Sequence, residues 1–325
     1  MSLSKEYKEE LKIKAAHLFY KKNMNLSDIA KNLKISRVTL NKLLKEAVNE
    51  GIVRIEIIDK DNVLSLLELE ETVKERFSLK DVIIVNSVSN DDSFSIHEIA
   101  MAAAKMVDSM MHKGMKISFS WGRTLELCVN YLKGSNYINN IEVYTLVGAP
   151  TIIGKQMQPN TIAHNFLQKY KGVGYVMNAP FICETVEAAK VIMADKNVSY
   201  IIEASKDSDL TLVGIGPTPN EAISKDKMRY ELDIIKELKK YNVCGDICSN
   251  FYDIYGNICD APLCQRFVKV SLEDLKQHKC VVGIGGGDHK VSSILGALNG
   301  KYLDVLITDK DTIVSVMEMA DKLGV

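Results

Sequence analysis

The chain has 325 residues, of which 46% are hydrophobic and 26% charged, and its formal net charge at pH 7 is −1. This length is enough for two domains, and the composition is that of an ordinary globular protein. No apolar run reaches the roughly 18 residues of a membrane-spanning helix, and the first residues lack the pattern of a signal peptide. We therefore predict a cytoplasmic protein with no membrane partner.

The first 58 residues are basic, with 12 Lys and Arg against seven Asp and Glu, whereas the remainder is acidic. A basic segment joined to an acidic body is typical of a nucleic-acid-binding module on a larger domain. Apolar residues recur at helical spacing in this segment. Ser27 and Ser36 are predicted as N-caps and Gly51 as a helix stop. Three helices are predicted, over residues 5–22, 27–33 and 36–49.

The second and third helices carry the pattern of a helix-turn-helix that binds DNA. Lys34 occupies the turn position where Gly is usual, because the backbone there needs a positive φ. A three-helix packing module without nucleic acid is the alternative. The predicted inner residues are Ile29, Ala30, Leu33, Ile35, Val38, Leu40, Leu43 and Leu44.

The outward face of the third helix suits phosphates and base edges in the major groove of double-stranded DNA. After Gly51 the alternation of apolar and charged residues predicts a strand over residues 52–57, placed as a wing. The predicted DNA-binding residues are Ser36, Arg37, Thr39, Asn41, Lys42 and Lys45.

A connector helix is predicted over residues 62–77. It either joins two subunits, since paired DNA half-sites require a two-fold partner, or packs on its own body. The predicted domains are a DNA-binding domain over residues 1–58, a connector over 59–80 and an effector domain over 81–325.

Strands and helices alternate from residue 81 onward, which predicts an α/β domain with a mostly parallel sheet and helices on both faces. Ligands bind such sheets at the carboxyl ends of the strands. The predicted strands cover residues 81–85, 116–119, 142–148, 175–177, 210–216, 281–287 and 304–308. The predicted helices cover 95–111, 231–240 and 312–322, and others begin near 123, 160 and 290.

Two strand-to-helix junctions suit an anion, most simply a phosphate. SWGRT (120–124) brings small and hydroxylated residues and a guanidinium to the start of a helix. GGGDHK (285–290) lets the backbone approach a ligand and adds the charge of Lys290, although a tight turn explains the glycines equally. Neither junction matches a nucleotide-binding fingerprint.

Polar residues near the C-terminus could complete a small-molecule site. Asp246 could accept hydrogen bonds from sugar hydroxyls, or serve as a turn residue. No catalytic triad or metalloprotease motif is present, so the sequence predicts a protein that is not an enzyme, with no catalytic residues. The seven cysteines, clustered in part between Cys244 and Cys264, lack the CxxC pairs of common zinc sites. They are predicted to be reduced thiols, with no metal and no cofactor.

These residues together carry a family resemblance over essentially the whole chain. The chain resembles the SorC-type sugar-responsive transcription regulators of bacteria. The resemblance rests on NEGIV (49–53), SWGRTL (120–125), GDI (245–247), SLEDL (271–275) and the long segment GGGDHKVSSILGALNGKYLDVLITD (285–309).

The resemblance implies a Rossmann-like effector domain related to phosphosugar isomerases, a phosphorylated sugar as effector, and a homo-oligomer, either a dimer or a tetramer. Two alternatives stay open: an isomerase-like enzyme on the same sheet, and a regulator whose ligand is another protein. The implied phosphate contacts are Ser120, Gly122, Arg123, Thr124, Gly286, Gly287 and Lys290. The implied sugar contacts are Gly148, Asp246, Phe251 and Gln265.

Overall fold

A computed structural model describes residues 5–55, 63–86, 92–150, 157–219 and 232–325. The chain divides into two compact units, Met1–Val63 and Leu64–Val325. The domain boundary predicted at residues 58–62 lies outside the described residues. None of the described helices is both long enough and apolar enough to cross a membrane.

The first unit is a small helical domain. Its helices are α1 (Lys5–Ala16), continued by a π-helical turn (His17–Lys21), α2 (Leu26–Leu33) and α3 (Arg37–Asn49). Seven of the eight predicted inner residues are buried or half-buried, with Ile29 and Leu40 fully enclosed. The prediction for Val38 is wrong, since its side chain is 79% exposed. Val38 lies two positions before Leu40, and residues two apart do not share a helix face.

The helix ends confirm two expectations and correct two. Ser36 caps α3 by accepting the backbone N–H of Thr39 at 3.0 Å, and Lys34 has the left-handed φ of 53° that its turn position requires. Ser27 is not an N-cap, because α2 begins at Leu26 and Asn25 accepts the backbone N–H of Asp28 instead. Residues 52–55 form a turn and irregular chain where a strand was predicted, and residues 56 and 57 lie outside the described part.

The connector helix α4 (Val63–Phe77) belongs to the second unit and packs on it. Val73 is fully buried in the main core of this unit. The Glu70 carboxylate accepts the backbone N–H of Ile84 at 2.7 Å, and Arg76 pairs with Asp321 at 2.6 Å. The helix therefore packs on its own body, and its role in joining two subunits stays a prediction.

The second unit is a parallel sheet with an antiparallel extension. Seven strands follow the order β1-β9-β8-β5-β2-β3-β4, all parallel, and a β6–β7 hairpin joins the end of β5. The strands are β1 (Asp81–Val85), β2 (Lys116–Phe119), β3 (Ile141–Thr145), β4 (Gly172–Tyr175), β5 (Leu210–Gly216), β6 (Gly245–Ile247), β7 (Asn250–Tyr252), β8 (Val281–Ile284) and β9 (Val305–Asp309).

Helices cover the sheet, and their apolar sides form clusters with the strands. They are α5 (Asp92–Met110), α6 (Arg123–Tyr131), α7 (Pro159–Lys169), α8 (Val186–Met193), α9 (Lys196–Ser205), α10 (Leu232–Leu238), α11 (Leu272–Leu275), α12 (Val291–Asn299) and α13 (Lys310–Leu323). Short 3₁₀ turns occur at Pro262–Arg266 and Asp288–Lys290.

The strand predicted at residues 175–177 instead occupies Gly172–Tyr175, where it pairs with β3. A Cβ on Gly172 would lie 1.9 Å from the Ile141 carbonyl oxygen, so this strand begins on a glycine because no side chain fits there. The strands predicted over residues 142–148 and 281–287 end earlier, at Thr145 and Ile284.

Candidate effector site and DNA-binding surface

The junction between β2 and α6 is anchored on the neighbouring strand β5. The backbone N–H of Ser120 donates to the Leu212 carbonyl, and the Ser120 hydroxyl accepts the N–H of Gly214, both at 3.0 Å. Gly122 follows with a φ of 120° and occupies the N-cap of α6 with no side-chain cap. The first-turn N–H groups of a helix have no intrahelical partners and carry a partial positive charge, so this end of α6 suits an anion.

Two charged or polar side chains frame that helix end. Arg123 is exposed, whereas Thr124 is buried with 5% of its surface accessible. Glu126 lies one turn along, where burial raises the pKa of its carboxyl and Arg123 opposes the rise. The Arg123 guanidinium and the Glu126 carboxyl thus lie within one turn of each other at the start of α6.

The glycine-rich junction after β8 has a structural explanation for two of its glycines. The Gly287 N–H donates to the Thr312 hydroxyl at 2.6 Å and to the Asp309 carboxylate at 3.2 Å. A Cβ on Gly286 would lie 2.1 Å from that same carboxylate. The tight-turn interpretation is thus supported for both residues.

Lys290 is the charged group of the second junction. Its Nζ would lie 3.4 Å from a Cβ built on Gly285, and that Cβ position is 3.8 Å from Ile215 of β5. The ammonium therefore lies across the end of β8, toward β5.

The sheet order places both junctions on one edge. Since β8, β5 and β2 are adjacent and parallel, their carboxyl ends meet at the same edge, with β5 between the two junctions. Two strand spacings separate β8 from β2, which is roughly 10 Å. Arg123 and Lys290 thus follow the two strands that flank the end of β5.

The predicted sugar contacts gather around the end of β5 and the segment that precedes α11. Asp246 pairs with Gly216 at the end of β5, is 1% exposed, and accepts the Ser249 N–H at 3.0 Å. Phe251 lies opposite Asp246 on β7 and contacts Phe267 edge-on, so its ring belongs to the core.

Gly148 and Gln265 differ in exposure. Gly148 donates its N–H to the Val268 carbonyl at 2.9 Å, and a Cβ there would lie 2.4 Å from the Pro180 carbonyl oxygen. Gln265 is exposed on a 3₁₀ turn four residues before Lys269. Gly148 therefore permits close backbone packing, while Gln265 offers an exposed polar side chain.

Lys269 is a residue of this region that the sequence argument missed. It forms an isolated bridge with Val147, next to Gly148, and its Nζ donates to the Ser249 carbonyl at 2.7 Å. Burial lowers the pKa of this ammonium to about 8. In the sequence, only a single lysine within the apolar run Phe267–Val270 indicates this residue. Such a pattern does not distinguish a lysine that faces solvent from one that is buried.

The hairpin turn beneath Lys269 is tightly held. Cys248 and Ser249 both have positive φ, 52° and 58°, as a two-residue hairpin turn of type I′ requires. Asn250 secures it by donating its side-chain amide to the carbonyls of Ile247 and Val270, at 3.0 and 2.9 Å. The carbonyl that Lys269 contacts is therefore fixed in place.

The thiols of Cys244 and Cys264 are protonated at neutral pH. Burial raises the pKa of Cys244 and of Cys264 to about 12. Among the residues that the structure describes, no group of His, Cys, Asp or Glu has the arrangement of a metal site.

The predicted DNA-binding side chains lie at the N-cap and at exposed positions of α3. Ser36 and Thr39 are linked by a 2.8 Å hydrogen bond between their hydroxyls at the start of α3. All of the predicted residues are exposed: Ser36, Arg37, Thr39, Asn41, Lys42 and Lys45.

The chain is similar to known bacterial regulators over nearly its whole length. Residues 61–318 match a family model described as "Putative sugar-binding domain". The sorbitol operon regulator of Klebsiella pneumoniae is 29% identical over 301 residues, which cover 92% of this chain and 95% of that protein. The deoxyribonucleoside regulator of Bacillus subtilis (strain 168) is 29% identical over 305 residues, which cover 94% of this chain and 96% of that protein.

A solved structure extends the likeness to the fold. The crystal structure of the full-length sorbitol operon regulator SorC from Klebsiella pneumoniae matches with a TM-score of 0.73 at 28% identity, over 94% of this chain and 98% of that one. These relatives are transcription regulators and not enzymes.

Proposed function

The chain belongs to the SorC/DeoR family of sugar-binding transcription regulators, and from this premise we propose that a phosphorylated sugar controls its binding to an operator. The coarser function, a transcription regulator with a sugar-binding effector domain, follows from the family. The phosphate, the location of its site and the oligomeric state are the parts that we add.

The observation that carries the proposal is the shared edge of the two junctions. Arg123 and the uncapped first turn of α6 lie on one side of β5, and Lys290 lies on the other. Two cations and a helix N-terminus that follow strands roughly two strand spacings apart suit a phosphate dianion better than a neutral sugar. The hydroxyls of the sugar then extend toward Asp246 and Gln265.

The DNA-binding surface is the exposed face of α3. Arg37, Lys42 and Lys45 supply positive charge, and Asn41 supplies an amide of the kind that recognises adenine. A two-fold arrangement of such heads would match paired half-sites. We propose a homo-oligomer, and the exposed Leu64 and Leu67 on α4 are apolar surface that such an assembly would cover.

The effector acts by binding one arrangement of the oligomer better than another. The free-energy difference between its affinities for the two arrangements sets the change in operator affinity. No catalytic step is needed, which agrees with the regulatory role of the relatives.

The test uses the full-length chain and a panel of sugar phosphates, each paired with its unphosphorylated sugar. We expect thermal stabilisation by the phosphorylated member only, and a matching change in binding to duplex DNA from the regulated promoter. Lys290→Ala and Arg123→Ala should each weaken effector binding about tenfold or more, as expected for loss of a charged hydrogen bond. Lys239→Ala, on an exposed body surface, is the control.

Unchanged effector affinity and unchanged DNA release in both Lys290→Ala and Arg123→Ala would rule out the phosphate site. Equal stabilisation by phosphorylated and unphosphorylated sugars would rule out the phosphosugar.

A further inference from the structure

Lys269 lies where the predicted sugar contacts meet. Its backbone pairs with Val147 beside Gly148, and its ammonium contacts the hairpin turn that follows Ile247, the residue after Asp246. The side chain is half-buried, so the ammonium has lost part of its hydration.

Among the residues that the structure describes, few groups compensate the charge of Lys269. Among the described residues its ammonium makes one hydrogen bond, to the Ser249 carbonyl, and one cation–π contact, with the Phe267 ring at 5.8 Å; it has no carboxylate within ion-pair distance. The groups that face it are Asp246, at longer range, and the thiols of Cys248, Cys259 and Cys264. A desolvated cation without a close counter-charge is costly, and a bound anion removes that cost.

We propose that Lys269 selects an effector that carries a carboxylate at the end of the sugar opposite its phosphate, that is, a phosphorylated sugar acid. This inference rests on the proposed function, because it assumes that the phosphate occupies the edge near Arg123 and Lys290. The ammonium keeps its contact with the Ser249 carbonyl and donates its remaining N–H groups to the carboxylate. Asp246 then faces the sugar hydroxyls and accepts hydrogen bonds from them.

The test compares ligands that differ at one carbon only. One set is sorbitol 6-phosphate, glucose 6-phosphate and 6-phosphogluconate, in which C1 is an alcohol, an aldehyde that closes into a hemiacetal ring in solution, and a carboxylate. A second set has four carbons: erythritol 4-phosphate, erythrose 4-phosphate and 4-phosphoerythronate. Affinities for the full-length chain are measured by isothermal titration calorimetry. In the set that fits the site, we expect the carboxylate to bind about tenfold more tightly or better than the alcohol, as a charge-assisted pair requires.

Two further readouts separate selection from a structural role. In Lys269→Met the preference for carboxylate over alcohol should vanish while the affinity for the alcohol stays within about twofold. Lys276→Met, which removes an exposed lysine above the Tyr302 ring, should keep the preference.

At pH 8.5 the carboxylate should bind with uptake of a proton, because the new counter-charge raises the pKa of Lys269 from about 8. Titration in buffers of different ionisation enthalpy measures that uptake.

The wild-type chain alone decides the question if Lys269→Met does not fold. Binding of the alcohol and the acid with equal affinity, or without proton uptake, overturns the inference and leaves the phosphosugar function standing. Preference for the aldehyde also overturns it. Failure of all six phosphates to bind overturns this inference, and failure of the full panel of sugar phosphates overturns the phosphosugar function as well.

Discussion

Lys34 holds the backbone between α2 and α3 in a conformation that lysine seldom adopts. Its φ of 53° and ψ of 42° lie in the left-handed region, where its N–H caps α2 on the Ala30 and Lys31 carbonyls. For a residue with a Cβ this conformation costs about 1–2 kcal/mol. The conformation is kept because the turn at Lys34 determines the angle between α2 and α3.

Lys34→Gly should therefore stabilise the helical domain by about 0.5–1 kcal/mol, the relief of strain being partly offset by a more flexible unfolded chain. Native-state hydrogen exchange of the α2 and α3 amides in the full-length chain measures the gain. Lys31→Gly, inside α2, is the matched control and should lower protection by about 1 kcal/mol. Lower protection in both variants would contradict the strain argument.

His278 is a second single residue with a measurable signature. It is 4% exposed and its Nδ1 shares a 2.7 Å hydrogen bond with the Thr211 hydroxyl. Burial lowers the pKa of its imidazole to about 4. The folded state thus holds a neutral histidine, while the unfolded chain takes up a proton below its ordinary pKa of about 6.5.

The free energy of unfolding should consequently fall as the pH drops from about 6.5 toward 4. The single tryptophan, Trp121, is buried in the α/β domain and reports its unfolding by urea. In His278→Gln this pH dependence should become shallower, whereas replacing the exposed His112 should leave it unchanged. A wild-type slope retained in His278→Gln would show that other groups control it.

At the residue scale, the sequence predicts the environment of a side chain when neighbouring residues in the sequence determine it. It does not predict the environment when residues far away in the sequence determine it. Ser36 and Lys34 follow from positions adjacent to them. Lys269 could not be identified, because its burial depends on the β6–β7 turn and on Val147, over 100 residues away in sequence. The prediction that Val38 faces inward is wrong because its apolar character alone does not determine which face of α3 it occupies.

Among the elements, the turn after β8 distinguishes two adjacent glycines. A Cβ on Gly286 would meet the Asp309 carboxylate at 2.1 Å and the Ile99 side chain at 2.6 Å, whereas a Cβ on Gly285 has no contact shorter than 3.4 Å. Packing therefore requires a glycine at position 286 but not at position 285.

Gly286→Ala should lower the free energy of unfolding by about 1–3 kcal/mol, the usual range for overpacking. Gly285→Ala, its neighbour, should change it by less than about 0.5 kcal/mol. Urea unfolding followed by Trp121 fluorescence compares the two. Equal effects would mean that the turn moves to accommodate either methyl group.

Element prediction succeeded where a strand is a continuous apolar run, as in β1, β2 and β5, whose predicted bounds are those observed. It failed for β6 and β7, which have three residues each and exist because they pair with the end of β5. Helices α8 and α9 were also missed. The start of β4 could not be placed, because Gly172 gives no strand signal and is present for a backbone contact.

At the scale of the whole molecule, the basic helical domain (residues 1–58) is distinct from the acidic remainder of the chain. This charge separation predicts how salt affects DNA binding. If Lys42 contacts one phosphate, Lys42→Gln should reduce the slope of log Kobs against log salt concentration by about 0.9. Fluorescence anisotropy with duplex DNA of unrelated sequence measures this term without knowledge of the operator. Lys239→Gln, on the body, should leave the slope unaltered, and a slope that falls equally in both would remove α3 from the interface.

The pairing of β1 with β9 joins the first and last strands of the sheet. During synthesis, β1 leaves the ribosome more than 200 residues before its neighbour exists, so the sheet cannot close until the final strand has emerged. The helical domain is a compact unit of its own, so we expect it to fold as soon as it has been synthesised. A nascent or prematurely terminated chain would thus present a folded helical domain beside an effector domain whose sheet is incomplete.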